Sequence, residues 1–123
     1  MVKPIGNHTF RSKALDDYIT LQVSQKEISE EVAICARLFI KRCQDYFLNT
    51  LETPDASPGP DGMFCFVWDR EEHHLIWEIF ENQESELFYR NRDTHKLWDI
   101  DYEPHKPLPA QLIKYLKEFQ THE

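Results

Sequence analysis

Residues 58–69 read Pro-Gly-Pro-Asp-Gly-Met-Phe-Cys-Phe-Val-Trp-Asp, and this stretch stops one kind of structure and starts another. Pro58 and Pro60 have no backbone donor, and Gly59 and Gly62 tolerate positive φ, so no helix continues through them. Directly afterwards Phe64, Phe66 and Trp68 alternate with Met63, Cys65 and Val67, the two-residue period of an extended strand. The chain before this point reads as helix and the chain after it as antiparallel sheet. The expected class is therefore α+β, with one long helix packed on a three- to four-stranded antiparallel meander and a short C-terminal helix, all in a single domain over residues 1–123.

In the first half, Ser24-Gln25-Lys26-Glu27 fits a capping box, in which serine and glutamate side chains bond each other's backbone N–H groups. It predicts a long helix over residues 24–49. Ile28, Val32, Cys35, Phe39, Cys43 and Tyr46 recur every three or four residues and would share its buried face, widened by Ala36, Ile40 and Phe47. Glu27, Glu30 and Glu31 suit the positive end of the helix dipole. Before it, Pro4, Gly6 and Asn7 predict an irregular arm. In residues 15–23 the alternation of Ile19, Leu21 and Val23 suggests an extended segment, although Leu15, Tyr18 and Ile19 also fit one helical turn. Residues 50–61, with three prolines, read as a linker.

In the second half, runs at 63–68, 74–80, 86–90 and 95–101 alternate and are separated by short polar turns, the pattern of a meander. Leu75, Trp77 and Ile79 oppose His74, Ile76, Glu78 and Phe80, while Leu97, Asp99 and Asp101 oppose Trp98 and Ile100. Pro104, Pro107 and Pro109 end the sheet, and a closing helix over 108–121 would bury Leu112, Leu116 and Phe119. Whether that helix covers the second face of the sheet is open from pattern alone.

Charge is distributed unevenly. The chain carries a net charge of −8, and residues 69–103 hold eleven acids against four bases, net −7. That is the wrong sign for a direct nucleic-acid binder and favours a basic protein partner. No apolar run approaches the roughly 18 residues of a membrane span, and the N-terminus has no apolar signal core, so a cytoplasmic protein without membrane contact is expected. Cys35 and Cys43, eight residues apart on a predicted helix, would have Cα atoms about 12 Å apart, too far for a disulfide. With Cys65 inside a strand, all three read as reduced core thiols.

The layout resembles a loose group of short uncharacterised bacterial proteins that carry an Asp-x-Tyr segment, a helix, and Pro-Asp-Gly opening a strand that ends in Trp. The matching residues are Asp16-Asp17-Tyr18, the helix from Ser24, and Pro60-Asp61-Gly62 running to Trp68-Asp69, over most of residues 15–90. Leu15-Asp16-Asp17-Tyr18 departs from the group's Trp-Asp-Gly-Tyr. The resemblance carries no assigned activity. It implies an accessory protein of mobile elements and defence regions.

No side-chain set suggests a reaction. His73 and His74 are adjacent, so on a strand they point to opposite faces and cannot easily chelate together; with His95 and Cys65 they lack metal-ligand spacing. Three glycines supply no phosphate loop. Neither a metal nor a cofactor is expected. The expected role is a small acidic inhibitor of a basic, nucleic-acid-handling partner, a nuclease, toxin or defence complex, as an antitoxin or anti-CRISPR-like protein would be. Candidate contacts are Glu71, Glu72, Glu78, Glu84, Glu86, Asp99 and Asp101, with Trp98 as an aromatic anchor. The alternatives are a homodimeric or otherwise homo-oligomeric accessory subunit paired through exposed sheet, and a small enzyme using a carboxylate–histidine pair.

Overall fold

Two helices stand where the sequence predicted one. In the computed structural model, which describes residues 10–121, the order is α1 (Ser12–Ser24), α2 (Glu30–Phe47), β1 (Asp55–Pro58), β2 (Phe64–Arg70), β3 (His73–Ile79), β4 (Ser85–Asn91), β5 (Leu97–Asp101) and α3 (Ala110–Leu116). The arm expected around Pro4, Gly6 and Asn7 lies outside the described residues. The class is α+β, with three helices on a five-stranded antiparallel meander in the order β1-β2-β3-β4-β5.

Residues 12–24 are helical because Leu15, Ile19 and Gln22 form a buried stripe at helical spacing. Leu21, which completed the apparent strand alternation, is 47% exposed. Ser24 does not cap a helix: its hydroxyl donates to the Leu21 carbonyl at 2.7 Å inside the last turn of α1. That turn closes as a Schellman motif. Lys26 sits at φ 62°, its N–H bonds the Val23 carbonyl at 3.0 Å, and the Glu27 N–H bonds the Gln22 carbonyl at 2.9 Å. The cap of α2 is Ser29, whose hydroxyl accepts from the Val32 N–H at 3.1 Å, followed by Glu30 and Glu31 in the first turn. Arg37 ties the helices together, bonding Asp16 at 2.5 Å and Thr20 at 2.7 Å. Tyr46, expected in the buried stripe, is 56% exposed, and Phe47 takes the core position.

The expected linker over 50–61 contains a strand. β1 pairs antiparallel with β2, Asp55 opposite Val67 and Pro58 opposite Phe64. Gly59 N–H bonds the Met63 carbonyl at 2.7 Å, so in this register Ala56 and Pro58 turn their backbone away from β2. Proline is tolerated there because its missing donor faces the edge. Asp61 then takes a left-handed turn at φ 59° before β2.

All three helices lie on one side of the sheet. Phe39 of α2 stacks on Trp77 of β3 at 4.4 Å between ring centroids, with Phe66 at 6.1 Å from Phe39. Tyr115 of α3 stacks on Tyr89 of β4 at 3.8 Å, and Phe119 packs beside Trp68 at 6.5 Å. The closing helix spans 110–116 with a 3-10 turn to 119, shorter than the 108–121 expected, and it covers the same face as α2. Arg70 fastens its end, reaching Glu52 at 2.8 Å and the Glu118 and Gln120 carbonyls at 3.1 and 2.9 Å. These positions tie residues from both halves of the chain into one buried cluster.

Replacing Ser29 with Ala should cost about 1 kcal/mol in a urea titration, whereas Ser24→Ala should change stability by under about 0.5 kcal/mol. The reverse order would contradict the position of the cap.

Candidate functional site

Among the described residues every helix lies on the inner face, and the outer face of the sheet is left to its own side chains. Strand register sets them in rows. One row runs Ser57, Cys65, Glu78, Glu86, Asp101; the next runs Asp55, Val67, Ile76, Phe88, Asp99; the third runs Asp69, His74, Arg90, Leu97. Val67, Ile76 and Phe88 form a half-buried apolar strip across the middle. Glu78, Glu86 and Asp101 stand directly opposite one another on three successive strands, and like charges so placed oppose pairing. Among the described residues none of Glu78, Glu86, Asp99 and Asp101 joins an ion pair with a basic side chain.

The expected contact residues divide into three groups. Glu78, Glu86, Asp99 and Asp101 come together at one end of the outer face. Glu84, in the turn before β4, joins Glu86 and Asp101 around a hollow of about 280 Å³ lined also by Phe80, Tyr102 and Glu103. Glu71 and Glu72 lie in the β2–β3 turn at the opposite end of the sheet, where Glu71 is exposed and Glu72 lies 3.5 Å from the His73 imidazole. Trp98 is on the other face: it packs at 5.3 Å from Tyr115, against the core. Its alternation with Asp99 already separates the two, so the aromatic beside Asp99 on the outer face is Phe88 rather than Trp98.

The turn end is electrostatically closed. Arg92 bonds Asp69 at 2.9 Å, and the His74 ring lies 3.4 Å from the same carboxylate. Slight desolvation pushes the Asp69 carboxyl up, but the hydrogen bonds and charges of Arg92 and His74 outweigh it and hold it below its ordinary value. On the inner side, His73 Nδ1 lies 2.6 Å from the Tyr89 hydroxyl, and its Nε2 lies 3.4 Å from Glu118. Burial lifts the Tyr89 hydroxyl above its ordinary value, with the Glu118 and Glu72 charges adding to the effect. Carboxylate, imidazole and phenol in contact are the parts of a proton relay, yet Tyr89 is 2% exposed and roofed by the Tyr115 ring. The cluster therefore fixes α3 to the sheet. No local sequence signal marks it, because its members come from β3, β4 and the C-terminal turn.

All three cysteines are free. Burial pushes the Cys43 and Cys35 thiols up, in keeping with inert core residues. Cys65, expected in the core, is instead half-buried on the outer face, 3.5 Å from the Ser57 hydroxyl. Tyr102, raised to about 12 by burial, donates to the Lys106 carbonyl at 2.5 Å and shapes the loop after β5. Among the described residues no group of three His, Cys, Asp or Glu side chains is placed to hold a metal ion, and no helix is long and apolar enough to cross a membrane. No protein-family model matches this chain, nor does any curated protein or solved structure.

Glu86 sits in the middle of the acidic row, so Glu86→Gln should raise stability by about 0.2–1 kcal/mol at low ionic strength. A urea titration repeated at high salt should show the gain shrinking; a loss at low salt would contradict the row. The Asp69 carboxyl is held low in the folded state. Its contribution is full above the unfolded value of about 3.9 and disappears as pH falls through the folded value. Wild type and Asp69→Asn should therefore differ at neutral pH, by under about 1 kcal/mol for so exposed a pair, and converge in acid.

Proposed function

We propose that this chain is a small, acidic, non-catalytic protein-binding module that inhibits a basic, nucleic-acid-handling partner, in the manner of an antitoxin or an anti-CRISPR-like protein. The observation that carries this reading is the outer face of the sheet, which no helix among the described residues covers. There Glu78, Glu86, Asp99 and Asp101 stand, among the described residues, without an ion-paired base beside the Val67–Ile76–Phe88 strip. Apolar area with a charged rim is the usual anatomy of a protein interface. Carboxylates on it would compete with phosphate groups for the Lys and Arg side chains of a nuclease, a toxin or a defence complex. The local self-repulsion of the row is relieved when cations arrive, which makes the acidic end better suited to a complex than to the isolated chain.

The test is capture of a basic protein from lysate of the source cell or its host on immobilised protein, followed by affinity measurement on the purified pair at two salt concentrations. Binding should weaken with salt. The triple reversal Glu78→Lys, Glu86→Lys, Asp101→Lys should lose at least about 100-fold in affinity, since like-charge juxtaposition across an interface costs several kcal/mol. Glu71→Lys, at the far end of the sheet, should leave affinity nearly unchanged. Equal binding by wild type and the triple variant would overturn the reading.

A further inference from the structure

The outer face borders an open strand edge, and the two edges of the sheet differ. At β4·β5 the flanking bonds are Asn91 N–H to the Lys96 carbonyl and Tyr102 N–H to the Ser85 carbonyl, both 2.9 Å. With the register Glu86 opposite Asp101 and Arg90 opposite Leu97, Lys96, Trp98, Ile100 and Tyr102 turn their backbone groups toward β4. Leu97, Asp99 and Asp101 turn theirs away. β5 has a single strand neighbour, and among the described residues no other backbone hydrogen bond reaches these three. All three are exposed, Leu97 at 63%. At the other edge the outward-turned groups belong to Ala56 and Pro58, and Pro58 has no N–H to offer.

We infer that β5 is the docking edge for the partner, which adds one extended, lysine- or arginine-bearing strand to the sheet. This inference rests on the acidic-face reading above and specifies its geometry. The same three residues that present free backbone groups carry the outward side chains Leu97, Asp99 and Asp101. A strand added at β5 places side chains directly opposite Asp99 and Asp101 on the outer face, within reach of Glu86 as well. Basic residues there meet three carboxylates. The residues between them face the inner side, beside the half-buried Trp98 and Ile100, where apolar side chains fit. The edge therefore selects a strand alternating basic and apolar residues, with backbone bonds giving affinity and side chains giving specificity. A second copy of the chain is a poor occupant. Antiparallel self-pairing over the full strand sets Asp99 directly against Asp99, a like-charge pair at its centre, with Asp101 against Leu97.

The probe is a short synthetic peptide alternating lysine and valine, and its control is the same sequence with the lysine amides N-methylated. N-methylation keeps every charge and removes the donors that would face β5. Amide exchange of Leu97, Asp99 and Asp101 should slow about 100-fold at a peptide concentration of about 100 Kd, and the N-methylated peptide should not slow it. Asp99→Thr, which keeps its N–H, should retain the protection at low salt with weaker affinity. Asp99→Pro, which loses the same carboxylate and the outward N–H besides, should abolish it, with tryptophan fluorescence and thermal melting checking that the variant folds. Binding of both peptides with exchange unchanged at the three amides would overturn edge pairing and leave the acidic face standing. Failure of both peptides to perturb Glu78, Glu86 or β5 resonances at low salt would overturn edge pairing and the acidic-face reading together.

Discussion

The stack of Phe39 on Trp77 decides which way the sheet faces. Once α2 lies against β3 through that contact, Trp77 is an inner residue, and a period of two assigns the side of every other residue on its strand. Cross-strand register passes the assignment to β2 through Phe66 and to β4 through Leu87, then to β5 through Ile100. Glu78, Glu86, Asp99 and Asp101 are outside for the same reason that Phe66, Leu87 and Trp98 are inside. A one-residue slip in β3, β4 or β5 would turn Glu78, Glu86 or Asp99 and Asp101 toward the inner side, so the register is strongly specified.

The alternation of the four longer strands was legible because one face of each is more buried than the other, fully in β2, β3 and β4 and by half in β5. Phe64, Phe66 and Trp68 carry that signal plainly. Helix boundaries were less legible. The Schellman turn at Lys26 uses a left-handed lysine where glycine would announce it, and the Ser24 motif that satisfies the capping pattern falls inside the previous helix. β1 was hidden by Pro54 and Pro58, which are breakers in a central strand and acceptable only at an edge, and edge position is not a local property. The acidic cluster was partly legible: charge counts pointed to the second half of the chain, but only register separates Glu78 and Glu86 from Glu71 and Glu72. The His73–Tyr89–Glu118 contact depends on where the C-terminal turn lands, which no window of sequence contains.

The two ends of the outer face behave differently for a common reason. Near the β2–β3 turn, Arg92 reaches across to Asp69 and the Glu71 carbonyl, so acid and base hold the hairpins together. Arg70 on the inner side does the same for the C-terminal turn through Glu52. With Arg92 and Arg70 engaged in these structural contacts and Arg90 two rows away beside Leu97, no basic side chain among the described residues pairs with Glu78, Glu86 or Asp101. The net charge of the second half is thereby concentrated at one end of one face instead of being spread over the molecule.

The prolines of β1 carry a further consequence. Strand-to-strand association propagates into a fibre only when each copy offers two receptive edges, one to give and one to receive. Here the β1 side is blunted by Pro58, which leaves its outward position without a donor, and Pro54 precedes the strand. Whatever joins at β5 adds one strand and then meets no continuation on the far side. The chain is in this sense a terminus and not a link: its geometry favours a closed one-to-one complex and guards an exposed, partly apolar sheet against open-ended polymerisation.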